Sequence, residues 1–352
     1  MATLSLFDEL AFADGWHRVA APGGYETWQF DAQSYDERLR LFAILMQGGV
    51  FHPQYARRST AYLARPTRHN PPLPADYPCL HLAVHEDGRL ISRTMTQYAP
   101  AQFEGSPASC QVAIGPNRLQ CHDGELLLHV EALTAPASRT SLSAELVFRP
   151  RFSHAPVQQE IFRLTPNHAQ HHWIVAHPLC DVDGEIRIPF KNGHRMVRLR
   201  GHGYRDHLYG SGPIGTAVRQ WISGRILLPA QSLAFQLAQP MQFGLPTQAH
   251  VLIADSQGVR AAAASLAALG PPRRTGWGLP YPTTVDVDMG LLLRRPRVID
   301  SAPAYARLQY DAYVNGQLAT AICQAISPRR LSGPILGRLI ESQITPCDEF
   351  EV

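Results

Sequence analysis

The chain has 352 residues, which suggests about two domains at roughly 150 residues each. Hydrophobic residues make up 45% and charged residues 17%, enough for real cores and too apolar for a disordered chain. The formal net charge of +3 is spread without a basic block, so no nucleic-acid partner is indicated.

From the amino end, Met1 to Leu10 carries Asp8 and Glu9 where a signal peptide would need a basic start and an apolar run. No stretch reaches the roughly 18 consecutive apolar residues of a membrane span. Both points predict a cytoplasmic chain without a transmembrane segment. Cys79, Cys110, Cys121, Cys180, Cys323 and Cys347 show no CxxC pairing, and free thiols are expected.

Strand signals dominate. Tyr25 to Asp31 is aromatic-rich and one strand long, and Arg38 to Val50 answers it across a polar turn, with a bulge or bend expected at Gly48-Gly49. Leu80 to His85 and Arg89 to Ile91 form a hairpin around Asp87-Gly88. Gln111 to Ile114, Arg118 to Gln120, Glu125 to Ala132 and Leu142 to Phe148 repeat the pattern, with turns at Gly115-Pro116-Asn117 and His122-Asp123-Gly124. Val182 to Ile188, with its Asp183-Gly184 pair, fits the same scheme of short strands and turns.

Further strands are expected over Ala217 to Leu227, Ser232 to Leu237, His250 to Ala254, Thr283 to Asp288, Leu308 to Val314 and Ala319 to Ala325. Arg260 to Leu269 reads as a strand followed by a loop, and Pro334 to Glu341 as a short helix. Arg65 to Pro78 and Gly270 to Pro282 read as long loops. Short strands at this spacing predict an all-β sandwich or barrel.

Three constellations could carry chemistry. In Gly201 to Gly210, an extended backbone puts Tyr204, Asp206 and Leu208 on one face and Arg205, His207 and Tyr209 on the other. A carboxyl beside a phenol in an apolar pocket would hold its proton as a general acid does. Alternatively, Asp206 caps a turn and His207 satisfies a core hydrogen bond. The histidine-rich run Asn167 to His177 invites a metal, but no Cys or carboxylate lies at ligand spacing. One histidine facing an aromatic cavity, poised to handle a proton, suits it better. Glu26, Trp28 and Phe30 share a face of the first strand, where a glutamate needs an arginine or a backbone amide as partner. There is no P-loop, dinucleotide fingerprint, HExxH or GxSxG.

In order along the chain, several stretches resemble the carotenoid 1,2-hydratase (hydroxyneurosporene synthase) family and its AttH-like lipocalin relatives. They are Tyr25 to Asp31, Gly49 to Tyr55, His171-His172-Trp173, Gly203 to Gly210, Trp221 to Arg225 and Ile326 to Leu331. The resemblance implies two lipocalin-like (calycin) antiparallel β-barrels packed together, over residues 1–200 and 201–352, with an apolar pocket near their junction. It implies hydration of a terminal isoprenoid double bond without a cofactor, so a hydratase or cyclase that protonates a C=C bond of an apolar polyene or isoprenoid is expected, with no metal. Asp206 would protonate the alkene, Trp173 and Tyr204 would stabilise the carbocation through their π faces, and His171 would orient or deprotonate the water. Glu26, Trp28, Phe51, Arg205, His207, Tyr209 and Trp221 would bind an apolar small molecule, which a peripheral contact with a membrane would help to collect. Arg205 stands where the family has histidine, Leu208-Tyr209 where it has Asn-Trp, and His52 where it has serine, so the substrate need not be a carotenoid. Related lipocalin-like Diels–Alderases make a pericyclic cyclase the second reading, and a carrier without catalysis the third.

Overall fold

The computed structural model describes residues 14–134, 140–152, 155–162, 169–190, 193–264, 266–288 and 290–347. The acidic start of the chain and Asn167-His168 of the histidine run lie outside the described residues.

Alternating apolar positions lay down twelve strands before residue 211. They are β1 (Tyr25–Ser34), β2 (Leu39–Gln47), β3 (Cys79–Glu86), β4 (Arg89–Tyr98), β5 (Phe103–Gly105), β6 (Gln111–Ile114), β7 (Asn117–His122), β8 (Glu125–Leu133), β9 (Ser141–Pro150), β10 (Val157–Ile161), β11 (His171–Phe190) and β12 (Gly193–Gly210). The second sheet uses β13 (Val218–Leu227), β14 (Gln231–Pro240), β15 (Gln248–Asp255), β16 (Gly258–Ala264) and β17 (Leu266–Leu269). After a separate ribbon of β18 (Pro272–Arg274) and β19 (Pro280–Pro282), it continues with β20 (Val285–Val287), β21 (Leu291–Ala302), β22 (Tyr305–Val314) and β23 (Gln317–Ile326). The last strand, β24 (Ile344–Cys347), returns to the first sheet and pairs in parallel with β4, against the antiparallel rule elsewhere among the described strands.

Each sheet curls around its own core. Trp28, Phe30, Leu41, Leu82 and Phe148 fill the first, and Phe235, Val251, Leu293, Leu308 and Tyr310 fill the second. A third cluster, with Trp173, Tyr204, Trp221 and Tyr305, lies where the sheets meet. This is the expected pair of lipocalin-like barrels, built as two half-barrels. The change of sheet falls between Gly210 and Val218, and we propose 211–217 as the division between the halves.

The hairpin turns are where the sequence puts them: Asp87 and Gly88 have φ of 50° and 70°, and Asp123 and Gly124 of 50° and 79°. Asp183-Gly184, expected to fit that scheme, instead lies within the twenty-residue β11. There a Cβ on Gly184 would stand 2.0 Å from the Glu145 carbonyl oxygen, so close strand approach, not turning, accounts for the glycine. Helix α1 (Pro53–Ala64) was not anticipated, although Pro53 opens it and the His52 side chain caps it by accepting from the Tyr55 amide. A one-turn helix α2 (Ile214–Ala217) precedes β13, and α3 (Leu336–Glu341) is the short helix expected near the end. The loop expected at the end of Arg260 to Leu269 is strand β17, and β21 has no clear signal because four residues, Arg294-Arg295-Pro296-Arg297, break its apolar pattern. No helix among the described residues is long and apolar enough to cross a membrane.

Candidate active site

The pleat of β12 decides which side chains can meet. Tyr204, Asp206 and Leu208 face the second sheet, and Arg205 and His207 point into the first sheet's own core. Asp206 is 1% exposed. Its Oδ2 accepts from Trp173 Nε1 at 3.1 Å and from the Tyr204 hydroxyl at 2.9 Å, and Oδ1 has no hydrogen-bond partner. Burial raises the Asp206 pKa, and nearby Arg225 with the two donors only partly offsets it. Burial also holds the Tyr204 phenol well above its ordinary range, so it donates to the acid and keeps its own proton.

The second sheet supplies the counter-charge. Arg225 of β13 reaches across to Asp31 at 2.6 Å, and the Gln29 amide, with its oxygen turned toward it, accepts from both terminal nitrogens at 3.0 and 2.6 Å. Its guanidinium lies 4.6 Å from the Tyr204 ring centroid. One π face of Tyr204 is thus occupied by an arginine.

His171 is also buried on this side. Its Nδ1 is 3.0 Å from the Tyr25 hydroxyl, and Nε2 has no partner. Burial pushes its pKa down to about 4, so it is neutral. His171 pairs with Gly210 and Asp206 with Val175. Four residues along a strand separate their backbones by about 13 Å, and Trp173 stands in between. His171 and Asp206 therefore flank the indole without touching.

Glu26, Trp28, Arg205 and His207 are not brought to this site. They lie on the opposite face of β1 and β12, within the first sheet. His207 Nε2 is 2.9 Å from Glu26 Oε1, which also accepts from the His17 amide at 2.8 Å and lies 2.9 Å from His17 Nδ1. Trp28 stacks on His207 at 4.9 Å. Arg205 grips both oxygens of Asp14, one at 2.8 Å. Burial opposes charge on His207, yet Asp14 and Glu26 outweigh it and raise its pKa, and bonds from His17 and His207 lower that of Glu26 despite burial. The predicted arginine or backbone partner of Glu26 is thus two histidines and one amide. His17, Glu26 and His207 are the one group among the described residues whose ligand atoms lie close enough to hold a metal, within 4.8 Å, and they already bond to one another. Tyr209 is half-buried and stacks on His17 at 3.8 Å and His172 at 4.6 Å. Trp221 packs edge-on to Phe162 at 5.6 Å and donates to Gln236.

A cavity of about 410 Å³ opens at the same seam between the sheets. Phe42, Ile44, Phe51 and Met95 form its apolar side, Tyr305 and Gln324 its far wall, and Leu331, Ile340 and Ile344 its cover. Phe51 is the one predicted binding residue that lines it; Asp206 does not. Tyr305 and Phe51 belong both to the cavity and to the cluster around Trp173 and Tyr204, so cavity and acid share a wall. Tyr305, Gln324 and His81 carry no signal in the sequence because each looks like one residue of an ordinary strand, and Arg225 and Asp31 stand there only as members of family-like motifs.

Two curled β-sheets, each around its own core, with a buried carboxylic acid and a cavity at the seam, define a lipocalin-like double half-barrel. The chain belongs to the carotenoid hydratase CrtC family, whose model matches residues 43–348. It is 29% identical over 223 residues to a hydroxyneurosporene dehydrogenase of Chlorobaculum tepidum, covering 60% of this chain and 55% of that one, so it spans about half that relative's length. It is 27% identical over 322 residues to an acyclic carotenoid 1,2-hydratase of Thiocapsa roseopersicina, covering 90% and 71%. A Nitrosomonas europaea structure described as AttH superposes with a TM-score of 0.62 at 12% identity, covering 93% and 97%. CghA with Sch210972 gives 0.53 at 9% identity, covering 87% and 89%. Kievitone hydratase from Nectria haematococca gives 0.52 at 7%, covering 92% and 93%. These three likenesses establish the fold alone.

Proposed function

We propose that this protein is a cofactor-independent hydro-lyase that adds water across a carbon–carbon double bond of an apolar polyene or isoprenoid. One observation carries the reading: Asp206 is buried, its pKa is raised, two donors fix Oδ2, and Oδ1 is left without a partner. A carboxylic acid so buried keeps its proton to higher pH and can give it to an alkene placed at Oδ1. The proton joins the less substituted carbon of the double bond, the π pair forms that C–H bond, and a tertiary carbocation is left on the other carbon beside the Trp173 indole. Water adds to the cation. Its surplus proton goes to His171 Nε2, in the tautomer that keeps the other proton on Nδ1 toward Tyr25. Asp206 regains a proton before the next turnover. The overall step changes no oxidation state.

The pH dependence follows from the two groups. Asp206 works protonated, so the rate falls as pH rises through its raised pKa. His171 works neutral, so the rate falls again as pH drops toward about 4. A bell-shaped kcat/KM profile with an acid limb near 4 is expected on a terminally unsaturated acyclic isoprenoid. A rate that keeps rising through the alkaline range would contradict the acid role.

We also propose that the cavity's cover rests on an anionic membrane. Helix α3 exposes Leu339 at 42%, and Ile335 just before it is 74% exposed. Arg57 joins α1 to α3 through Glu341 at 2.5 Å, and Arg58, Arg68 and His69 frame a cleft of about 310 Å³ beside α1. Apolar side chains among arginines suit a surface of anionic lipid. Sedimentation with phosphatidylcholine vesicles containing phosphatidylglycerol is expected to pull the protein down, and Ile335→Asp with Leu339→Asp to release it. Equal binding by that variant would refute the contact.

A further inference from the structure

The cavity at the seam is apolar on most sides, yet one end carries polar atoms with nothing to bond. Gln324 is 2% exposed and its Nε2 has no partner. Tyr305 is 8% exposed and its hydroxyl proton has no acceptor, although the Arg307 guanidinium is close by. His81 Nδ1 is likewise unpartnered, in a ring held among Phe42, Phe51 and Tyr305 with centroids 5.7, 6.5 and 6.1 Å away. All three residues line the same cavity. Buried donors without partners are uncommon and costly, and a cluster of them around a void marks where a ligand's polar atom belongs. A pure hydrocarbon leaves all of them bare.

We infer that the cavity takes an acyclic isoprenoid bearing an oxygen, a hydroxyl or carbonyl, which Gln324 Nε2 and the Tyr305 hydroxyl bind as donors with His81 Nδ1 beside them. The inference rests on the proposed chemistry at Asp206, and the register connects the two places. Asp206 pairs with Gln29, Gln29 with Ile44, and Ile44 with His81, all in one row across the first sheet. Three strand spacings separate the acid from the histidine, about 14 Å. An extended chain with its oxygen at the Gln324 end runs along that row toward Asp206, which lies past Gln29 and beyond the cavity's lining. The oxygen thereby selects which double bond reaches the acid, which no uniformly apolar wall could do.

The test is calorimetric binding of farnesol and of farnesene, two acyclic isoprenoids of equal carbon number of which only the first carries a hydroxyl. Wild-type protein is expected to bind farnesol about tenfold more tightly, the worth of one or two hydrogen bonds to otherwise unpaired groups. Gln324→Leu combined with Tyr305→Phe is expected to abolish that preference while retaining farnesene affinity. Equal affinity of the wild type for the two compounds overturns the inference, means that water alone fills the polar end, and leaves the acid chemistry standing. Binding of neither overturns the inference and the proposed substrate class together. The wild-type comparison decides by itself, so misfolding of the double variant cannot rescue the idea.

Discussion

Asp206→Asn is expected to lower turnover about 10²–10⁴-fold, the range that one positioned general acid supplies. The amide keeps the shape of the carboxyl and can still accept from Trp173 Nε1 and the Tyr204 hydroxyl, so the fold should survive. Stability has its own signature. A group whose folded pKa is raised stabilises the protein below its unfolded pKa, and that contribution is lost as pH rises through the folded value. The asparagine variant has no charge to bury, so its thermal midpoint should fall less than the wild type's as pH rises. Steady-state turnover and a pH series of melts check both halves. Full turnover by a folded Asp206→Asn protein would end the acid mechanism, and would favour a pericyclic cyclase, which needs a shaped pocket but no acid.

The second large effect is on stability. Glu26→Ala is expected to cost about 3–5 kcal/mol, the usual result of leaving one member of a buried charged pair alone. Glu26 and His207 are both fully buried, and Glu26 Oε1 serves His207, the His17 ring and the His17 amide at once. Removal strands the His207 charge between Trp28 and Asp14. Because the Glu26 pKa is lowered, its contribution is present above its unfolded pKa and disappears as pH falls. The gap between wild type and variant in chemical denaturation should therefore narrow under acid. A loss below about 1 kcal/mol at neutral pH, the scale of an exposed pair, would mean that the network is not the closed one described.

The alternation in Gly203 to Tyr209 was legible: it separated Tyr204 and Asp206 from Arg205 and His207, and β12 keeps that separation. What alternation cannot say is which face meets another sheet. The family resemblance implies a substrate role for Glu26 and Trp28, but their aromatic company is a packed core, and the partner of Glu26, His207, lies 181 positions away. Arg225 was visible only as part of a family-like motif. Its partners Asp31 and Gln29 come from the other sheet, and no local spacing encodes such a meeting. The hairpin turns were legible because Asp-Gly pairs demand positive φ, whereas Gly184 serves a different need of the same residue type. His81, Tyr305 and Gln324 become a group only when two sheets bring their strands face to face.

The parallel pairing of β24 with β4 fixes an order of events. Ile344 covers the cavity and belongs to the small apolar cluster with Phe42 and Met95, yet it is made after the whole second sheet. During synthesis the first half-barrel can curl around its own core while the edge at β4 stays unpaired for some 250 residues of chain growth, counted from Tyr98 to Cys347. An exposed strand edge of that lifetime is a place where nascent chains pair with one another. Recovery of soluble protein should therefore depend on the final strand far more than its four residues suggest.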